Sequence, residues 1–278
     1  MHTPIISVQA LAALLDSPTP RSPTLRIVDV RPEPGARDDG FAQYQRGHIP
    51  GAIHLGLERG LSGPSGPGRH PLPTPQAFAQ TLASAGIDDA CDVVCYDQGN
   101  GAYAARLWWM LDNLGLDSVT VLDGGLDAWQ EAGHALQTTT PTYPKATWER
   151  LESRNATYSK EELAADLSAF HILDARAAER YRGDVEPIDA VAGHIPTALS
   201  APFADNLVDG RFRSKEELLA RFSELAISDG KPIVHSCGSG VTACHNILAM
   251  RIAGLGRTAL YPGSWSDWSS SGYPVETG

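Results

Sequence analysis

Four sequence patterns occur twice in this chain, in the same order and at similar spacing, and that repetition limits the possible folds more than any other feature. Leu25-Arg-Ile-Val-Asp-Val-Arg31 returns as His171-Ile-Leu-Asp-Ala-Arg176. Gly47-His-Ile-Pro-Gly-Ala52 returns as Gly193-His-Ile-Pro-Thr-Ala198. The stretch Asp92 to Asp97 matches Lys231 to Cys237, and Leu122 to Trp129 matches Tyr261 to Trp268. The 278 residues are long enough for two cores. Two copies of one domain are expected, over 1–140 and 155–278, with a Thr- and Pro-rich linker over 141–154 that has no helical period. Each copy alternates short apolar strands with amphipathic helices. The fold class is therefore α/β, each domain a mainly parallel sheet flanked by helices. Helices are expected over Val8–Leu15, Pro75–Ala85 and Ala102–Leu114, and again over Lys160–Leu167, Lys215–Leu225 and Val241–Ala253. Pro18–Pro23 reads as a loop. So does the Gly- and Pro-dense stretch Gly60–Pro75, which carries Arg69 and His70 and is long enough to expect a function or disorder.

The copies differ where it matters chemically. The strand ending at Asp97 in the first copy ends at Cys237 in the second. Cys237 is followed by Gly238, Ser239 and Gly240, and a helical pattern starts near Val241. A cysteine between a strand tip and a helix start meets loop N–H groups and the positive end of the helix, a setting that favours thiolate. From the residues alone a buried structural cysteine is an equal reading; Cys91, Cys95 and Cys244 read as that kind. A carboxylate at position 97 cannot do thiol chemistry, so the first copy reads as inactive. Active sites in such folds lie beyond the carboxyl ends of strands.

Net charge is −11, spread along the chain, which argues against nucleic acid and an anionic membrane surface as partners. It leaves room for a small anionic substrate held by local arginines. The N-terminal stretch does not read as a signal peptide, and no apolar run has the length of a membrane span. Four cysteines without paired spacing suggest neither a disulfide framework nor a zinc site. A reducing, cytoplasmic setting is expected.

The ordered set of motifs, Gly47-His-Ile-Pro-Gly51, Gly193-His-Ile-Pro196, Leu122-Asp-Gly-Gly125, Arg106-Leu-Trp-Trp109 and Cys237-Gly-Ser-Gly-Val-Thr-Ala243, resembles the tandem-domain rhodanese-type sulfurtransferases over nearly the whole chain. The Cys-Gly-Ser-Gly-Val-Thr loop is similar to the 3-mercaptopyruvate sulfurtransferase branch. Thiosulfate-preferring members carry basic residues just after the cysteine, where Gly238 and Ser239 are neutral. The resemblance implies two rhodanese-like domains and a Cys237 persulfide, passed from a small anionic sulfur donor to cyanide or a thiol acceptor of the thioredoxin-like kind. It implies no metal and no organic cofactor. Gly238, Ser239, Gly240, Val241 and Thr242 would cradle the persulfide. Ser239 matches a proton-relay serine and His70 its histidine partner. Glu58 falls where the family has aspartate. From the residues alone His70 reads more readily as a solvated loop histidine.

Arg180 matches an arginine that binds the donor's carboxylate, and Arg182 is a second candidate. The branch also has an arginine after a Glu-Pro pair; here Glu186-Pro187 is followed by Ile188, which puts the donor in question. Asp29, Arg31, Asp174, Arg176, His48 and His194 occur in both copies and read as structural, and the tryptophans as packing. Three readings compete with mercaptopyruvate sulfurtransfer: a thiosulfate:cyanide sulfurtransferase, a non-catalytic sulfur-carrier or binding module, and a cysteine phosphatase. The last is disfavoured because residues 238 to 244 lack the arginine an oxyanion loop needs.

Overall fold

The structure is a computed structural model and describes residues 3–16, 24–31, 39–149, 151–225, 227 and 229–278. The loop expected over Pro18–Pro23 lies outside them. The chain divides into two compact units, Met1–Ser62 with Pro73–Arg154, and Gly63–Leu72 with Asn155–Gly278.

The first unit runs β1 (Ile5–Ile6), α1 (Val8–Asp16), β2 (Leu25–Asp29), α2 (Asp39–Arg46), β3 (Ala52–His54), α3 (Leu57–Gly60), α4 (Pro75–Ser84), β4 (Asp92–Tyr96), α5 (Ala102–Asn113), β5 (Val119–Leu122) and α6 (Gly125–Glu131). Its five strands are all parallel, in the order β1-β5-β4-β2-β3. Apolar strands shielded on both faces suit this arrangement. Ile27, Val94, Tyr96 and Leu122 from the sheet pack with Leu11, Tyr44 and Trp129 in one core.

The second unit runs α7 (Lys160–Ala165), β6 (His171–Asp174), α8 (Ala178–Arg182), β7 (Leu199–Ser200), β8 (Leu207–Val208), β9 (Arg211–Phe212), α9 (Lys215–Ser223), β10 (Ile233–Ser236), α10 (Thr242–Ala253), β11 (Ala259–Leu260) and α11 (Ser264–Trp268). Four strands form a parallel sheet, β11-β10-β6-β7, and β8 with β9 forms an antiparallel ribbon absent from the sequence reading. The Ser159-x-x-Glu162 and Ser214-x-x-Glu217 patterns form reciprocal capping boxes that start α7 and α9. Val234 lies among Trp265, Trp268 and Tyr261 on one face of the sheet, while Leu173 packs with Leu218, Phe222 and Met250 on the other. Trp108, Trp109, Trp129, Trp265 and Trp268 are all buried, as the packing reading expected.

The duplicated polar residues also do the same structural work twice. Arg31 closes on Asp29 and donates Nη2–H to the Gly47 carbonyl at 2.8 Å; Arg176 does the same with Asp174 and the Gly193 carbonyl at 2.7 Å. His48 stacks on Tyr44 at 3.9 Å between ring centres, and His194 on Tyr181 at 3.8 Å.

The domain boundaries differ from the sequence reading at two places. The expected linker 141–154 belongs to the first unit. Tyr143 donates its hydroxyl to the Gly51 carbonyl at 2.9 Å beneath the Arg26 guanidinium, and Ala146 N–H reaches the Ala83 carbonyl at 2.9 Å. Conversely, Gly63–Leu72 leaves the first half of the chain and packs on the second unit. Gly68 explains how closely it packs. Its φ is +76°, and a Cβ there would stand 2.5 Å from the Gly263 carbonyl oxygen.

Candidate active site

Cys237 follows the last residue of β10, at the carboxyl end of the sheet, and is 1% exposed. Its backbone is tied down by the segment leading into α11. Cys237 N–H donates to Ser264 Oγ at 3.1 Å, Trp265 N–H to the Cys237 carbonyl at 2.9 Å, and Ser266 N–H to the Gly238 carbonyl at 3.0 Å. Ser264 has φ +53°, a left-handed conformation costly for a residue with a Cβ. Its hydroxyl donates to the Tyr261 carbonyl at 2.9 Å while accepting from Cys237. Within the loop, Gly240 N–H points at Cys237 Sγ, 3.1 Å away. α10 then starts at Thr242, ends at Ala253 and is capped by Gly254 with φ +82°.

The equivalent loop of the first unit has the same construction with different chemistry. Leu126 N–H and Asp127 N–H grip the Asp97 and Gln98 carbonyls, as Trp265 and Ser266 grip theirs. The position matching Ser264 is Gly125, with φ +56°. The buried Asp97 carboxylate accepts four backbone N–H groups: Gly99 and Gly101 at one oxygen, at 3.1 and 2.9 Å, and Tyr103 and Ala104 at the other, at 3.0 and 3.2 Å. Burial raises its pKa and the four N–H bonds pull it back, with burial dominant.

The side chains of Ser239, His70 and Arg180 come together at the Cys237 loop. His70 Nδ1 lies 2.8 Å from Ser239 Oγ, so the pairing expected from the resemblance forms. Arg180, on α8, lies beside the loop: its Nη1 is 3.6 Å from where a Cβ on Gly238 would stand. It is fixed by Glu186, with Nη2 to Oε1 at 2.7 Å, and reaches Asp189 at 3.5 Å. Burial raises the Glu186 pKa, but the Arg180 hydrogen bond and the N–H groups of Asp189 and Ile188 outweigh it and hold the carboxyl below its ordinary range. Gly238, Gly240, Val241 and Thr242 form the loop and the first residue of α10. Glu58 stands in the first turn of α3, in the first unit.

Arg182 does not take the substrate-binding place expected of it. Its side chain is 47% exposed and pairs with Asp184 at 2.8 Å. Residues two apart on a helix point in nearly opposite directions, so Arg180 and Arg182 cannot both face Gly238. Ile188 is also a surface residue, 59% exposed. The cation that the sequence reading passed over is Arg69. Its Nη2 lies 3.1 Å from the same Gly238 Cβ position. The only sequence signal for it was its place beside His70.

A cysteine held in a glycine-rich loop at a strand end, in one of two copies of a parallel α/β unit, defines the class as a rhodanese-type fold with one equipped domain. Comparison with known proteins agrees. The chain matches the Rhodanese-like domain family over residues 7–132 and 159–271. It is 45% identical to a probable 3-mercaptopyruvate sulfurtransferase of Pseudomonas aeruginosa, covering 99% of this chain and 98% of that one. It is 40% identical to a putative thiosulfate sulfurtransferase of Mycobacterium tuberculosis, over 96% and 94%. The crystal structure of the 3-mercaptopyruvate sulfurtransferase of Escherichia coli superposes with a TM-score of 0.82 at 33% identity, over 95% of this chain and all of that one. The chain belongs to the rhodanese-like family and is a sulfurtransferase.

Proposed function

We propose that this sulfurtransferase moves a sulfane sulfur from 3-mercaptopyruvate to a thiol or to cyanide through a persulfide on Cys237. The Cys237 thiolate attacks the donor sulfur. The carbon–sulfur bond breaks, and its electron pair leaves on carbon as the enolate of pyruvate. A proton moving along Ser239 and His70 converts the enolate to pyruvate. The acceptor's thiolate then attacks the outer sulfur. The sulfur–sulfur bond breaks, Cys237 regains its thiolate, and the acceptor leaves as a persulfide, or as thiocyanate if it was cyanide. The observation that carries this reading is the Asp97 loop. A persulfide on Cys237 would put its outer sulfur one bond beyond Sγ, where the first unit's equivalent side chain carries its carboxylate oxygens. Those oxygens sit on four N–H groups. A loop of the same build on Cys237, already offering the Gly240 N–H, supplies donors for an anionic outer sulfur.

The 2.8 Å His70–Ser239 contact supports the mercaptopyruvate donor, whose departing enolate needs a proton. Thiosulfate is the second reading. Its support is the M. tuberculosis relative and the missing arginine at Ile188. Steady-state rates with both donors, first with cyanide and then with a reduced thioredoxin-like dithiol, separate the two. A preference for mercaptopyruvate is expected, and a preference for thiosulfate would reverse the assignment. A persulfide that forms and never turns over would make the protein a sulfur carrier. Among the described residues no helix is long and apolar enough to cross a membrane. A cytoplasmic location belongs to the same proposal: all four cysteines are free, and transfer needs Cys237 reduced.

A further inference from the structure

Two guanidinium groups reach Gly238, the residue after the nucleophile, from different parts of the second unit. Arg180 comes from α8 and Arg69 from the loop Gly63–Leu72. Asp189 bridges them, one oxygen to Arg69 Nη1 and the other to Arg180 Nη2. Glu186 takes the remaining side of Arg180, through Nε at 3.3 Å and Nη2 at 2.7 Å. Glu186 is in turn held by Arg176 at 3.4 Å, so the ladder runs back to the Asp174–Arg176 pair at the end of β6. The loop end is fixed as well: Arg69 N–H donates to Ser266 Oγ at 3.1 Å, on the helix that grips Cys237.

This anchoring uses Nη1 of Arg69 and Nε and Nη2 of Arg180, and leaves Arg69 Nη2 and Arg180 Nη1 uncommitted. Arg69 Nη2 and Arg180 Nη1 make no hydrogen bond among the described residues, and they are the atoms nearest the Gly238 Cβ position, at 3.1 and 3.6 Å. Both side chains keep some exposure, 31% and 18%, so a solute can reach them, whereas Asp189 is 8% exposed. Two cationic N–H donors, preset by buried carboxylates and converging beside the nucleophile, are built to hold a carboxylate or sulfonate. The loop is neutral in sequence but meets two guanidinium donors in space.

We propose that Arg69 is the second anion-binding residue of the donor site. It acts with Arg180 in place of an arginine at position 188, and the absence of a side chain on Gly238 leaves room for both. This rests on the sulfurtransfer reading above. One arm of the test is 3-mercaptopyruvate. The other is its methyl ester, identical at sulfur and carbonyl but without the charge. Arg69→Ala is expected to lower kcat/KM for the acid roughly 10- to 100-fold, the range of a charge-assisted hydrogen bond, chiefly through KM. The loss on the ester should be several-fold smaller. Arg69→Lys should recover part of the acid rate, because it restores charge without the planar fork. Gly238→Ala, which alters no charge, should also raise KM for the acid by crowding Arg69 Nη2. An equal loss on acid and ester, or an unchanged KM for the acid in Arg69→Ala, would overturn the proposal while leaving sulfurtransfer intact. If wild type used only thiosulfate, the same KM rise must appear on thiosulfate, and its absence would refute the role. Wild type that forms no persulfide from any donor would remove both readings together.

Discussion

Cys237 and His70 carry separable duties, and single substitutions tell them apart. Cys237→Ser should stop sulfur uptake from every donor, read as loss of the one-sulfur mass gain on the protein; any remaining gain would place the nucleophile elsewhere. His70→Ala should still take up sulfur, because the thiol and its loop are intact, but kcat with mercaptopyruvate should fall about 10²- to 10⁴-fold, the usual worth of a positioned proton-transfer group. A kcat within threefold of wild type would dismiss the Ser239–His70 relay. The sequence made some of these residues plain and hid others. Cys237 and its loop are contiguous, so a glycine-rich turn between strand and helix could be read directly. Arg180 came through its family motif. Arg182 was misread because its neighbour's role was extended across two helical residues, which point apart. Arg69 had no sequence signal beyond its place beside His70, because its relation to Gly238 exists only once the Gly63–Leu72 loop has folded against α11 and Gly263.

At the scale of elements, the two copies work as an internal control on α11. In both, the N–H groups at the start of the last helix hold the strand-end loop, and in both the first residue of that helix has positive φ, +56° at Gly125 and +53° at Ser264. Glycine adopts that conformation freely, whereas serine is strained by about 1 kcal/mol or more. The strained residue stands in the copy that has the cysteine, where its hydroxyl braces Cys237 N–H. Ser264→Gly therefore relieves strain of about 1 kcal/mol and loses two hydrogen bonds of about 1 kcal/mol each, which act in the opposite sense. The melting temperature should fall only modestly, while persulfide formation slows about tenfold or more as the nucleophile loses its fixed place. Ser264→Ala keeps the strain, loses both bonds and should melt lower than Ser264→Gly. If Ser264→Gly instead kept the wild-type rate, the serine would be structural only. The helix and strand order was legible because each segment shows its own periodicity. The β8–β9 ribbon was missed because two-residue strands have no period to detect.

At the scale of the whole molecule, the duplication set the architecture, but the division of the chain depends on packing that a repeat alignment does not record. Tyr143 and Ala146 fasten the supposed linker to the first unit, and Gly63–Leu72 crosses to the second. The second unit also carries an acid sensitivity that the first copy lacks at the matching strand. His235, on β10 two residues before Cys237, is fully buried, and burial, aided by the Arg221 charge, lowers its pKa to about 3. Cys95 sits in the corresponding place on β4, and burial raises its thiol pKa so that it stays neutral across that range. An unfolded chain protonates its histidine near 6.5, whereas the native state does not until about pH 3. Between those values the unfolded state binds the extra proton, so this group's contribution to stability is lost as pH falls from 6.5 toward 3. The slope is at most about 1.4 kcal/mol per pH unit for one group. Paired carboxylates such as Glu186 add to acid lability in the same direction, so the diagnostic quantity is a difference between proteins. Urea melts of wild type and His235→Leu at pH 7 and pH 5 should show the wild type losing about 1–2 kcal/mol more than the variant on acidification. Equal losses would mean that His235 takes up its proton in the native state, and that the end of β10 beside the nucleophile opens to water below neutral pH.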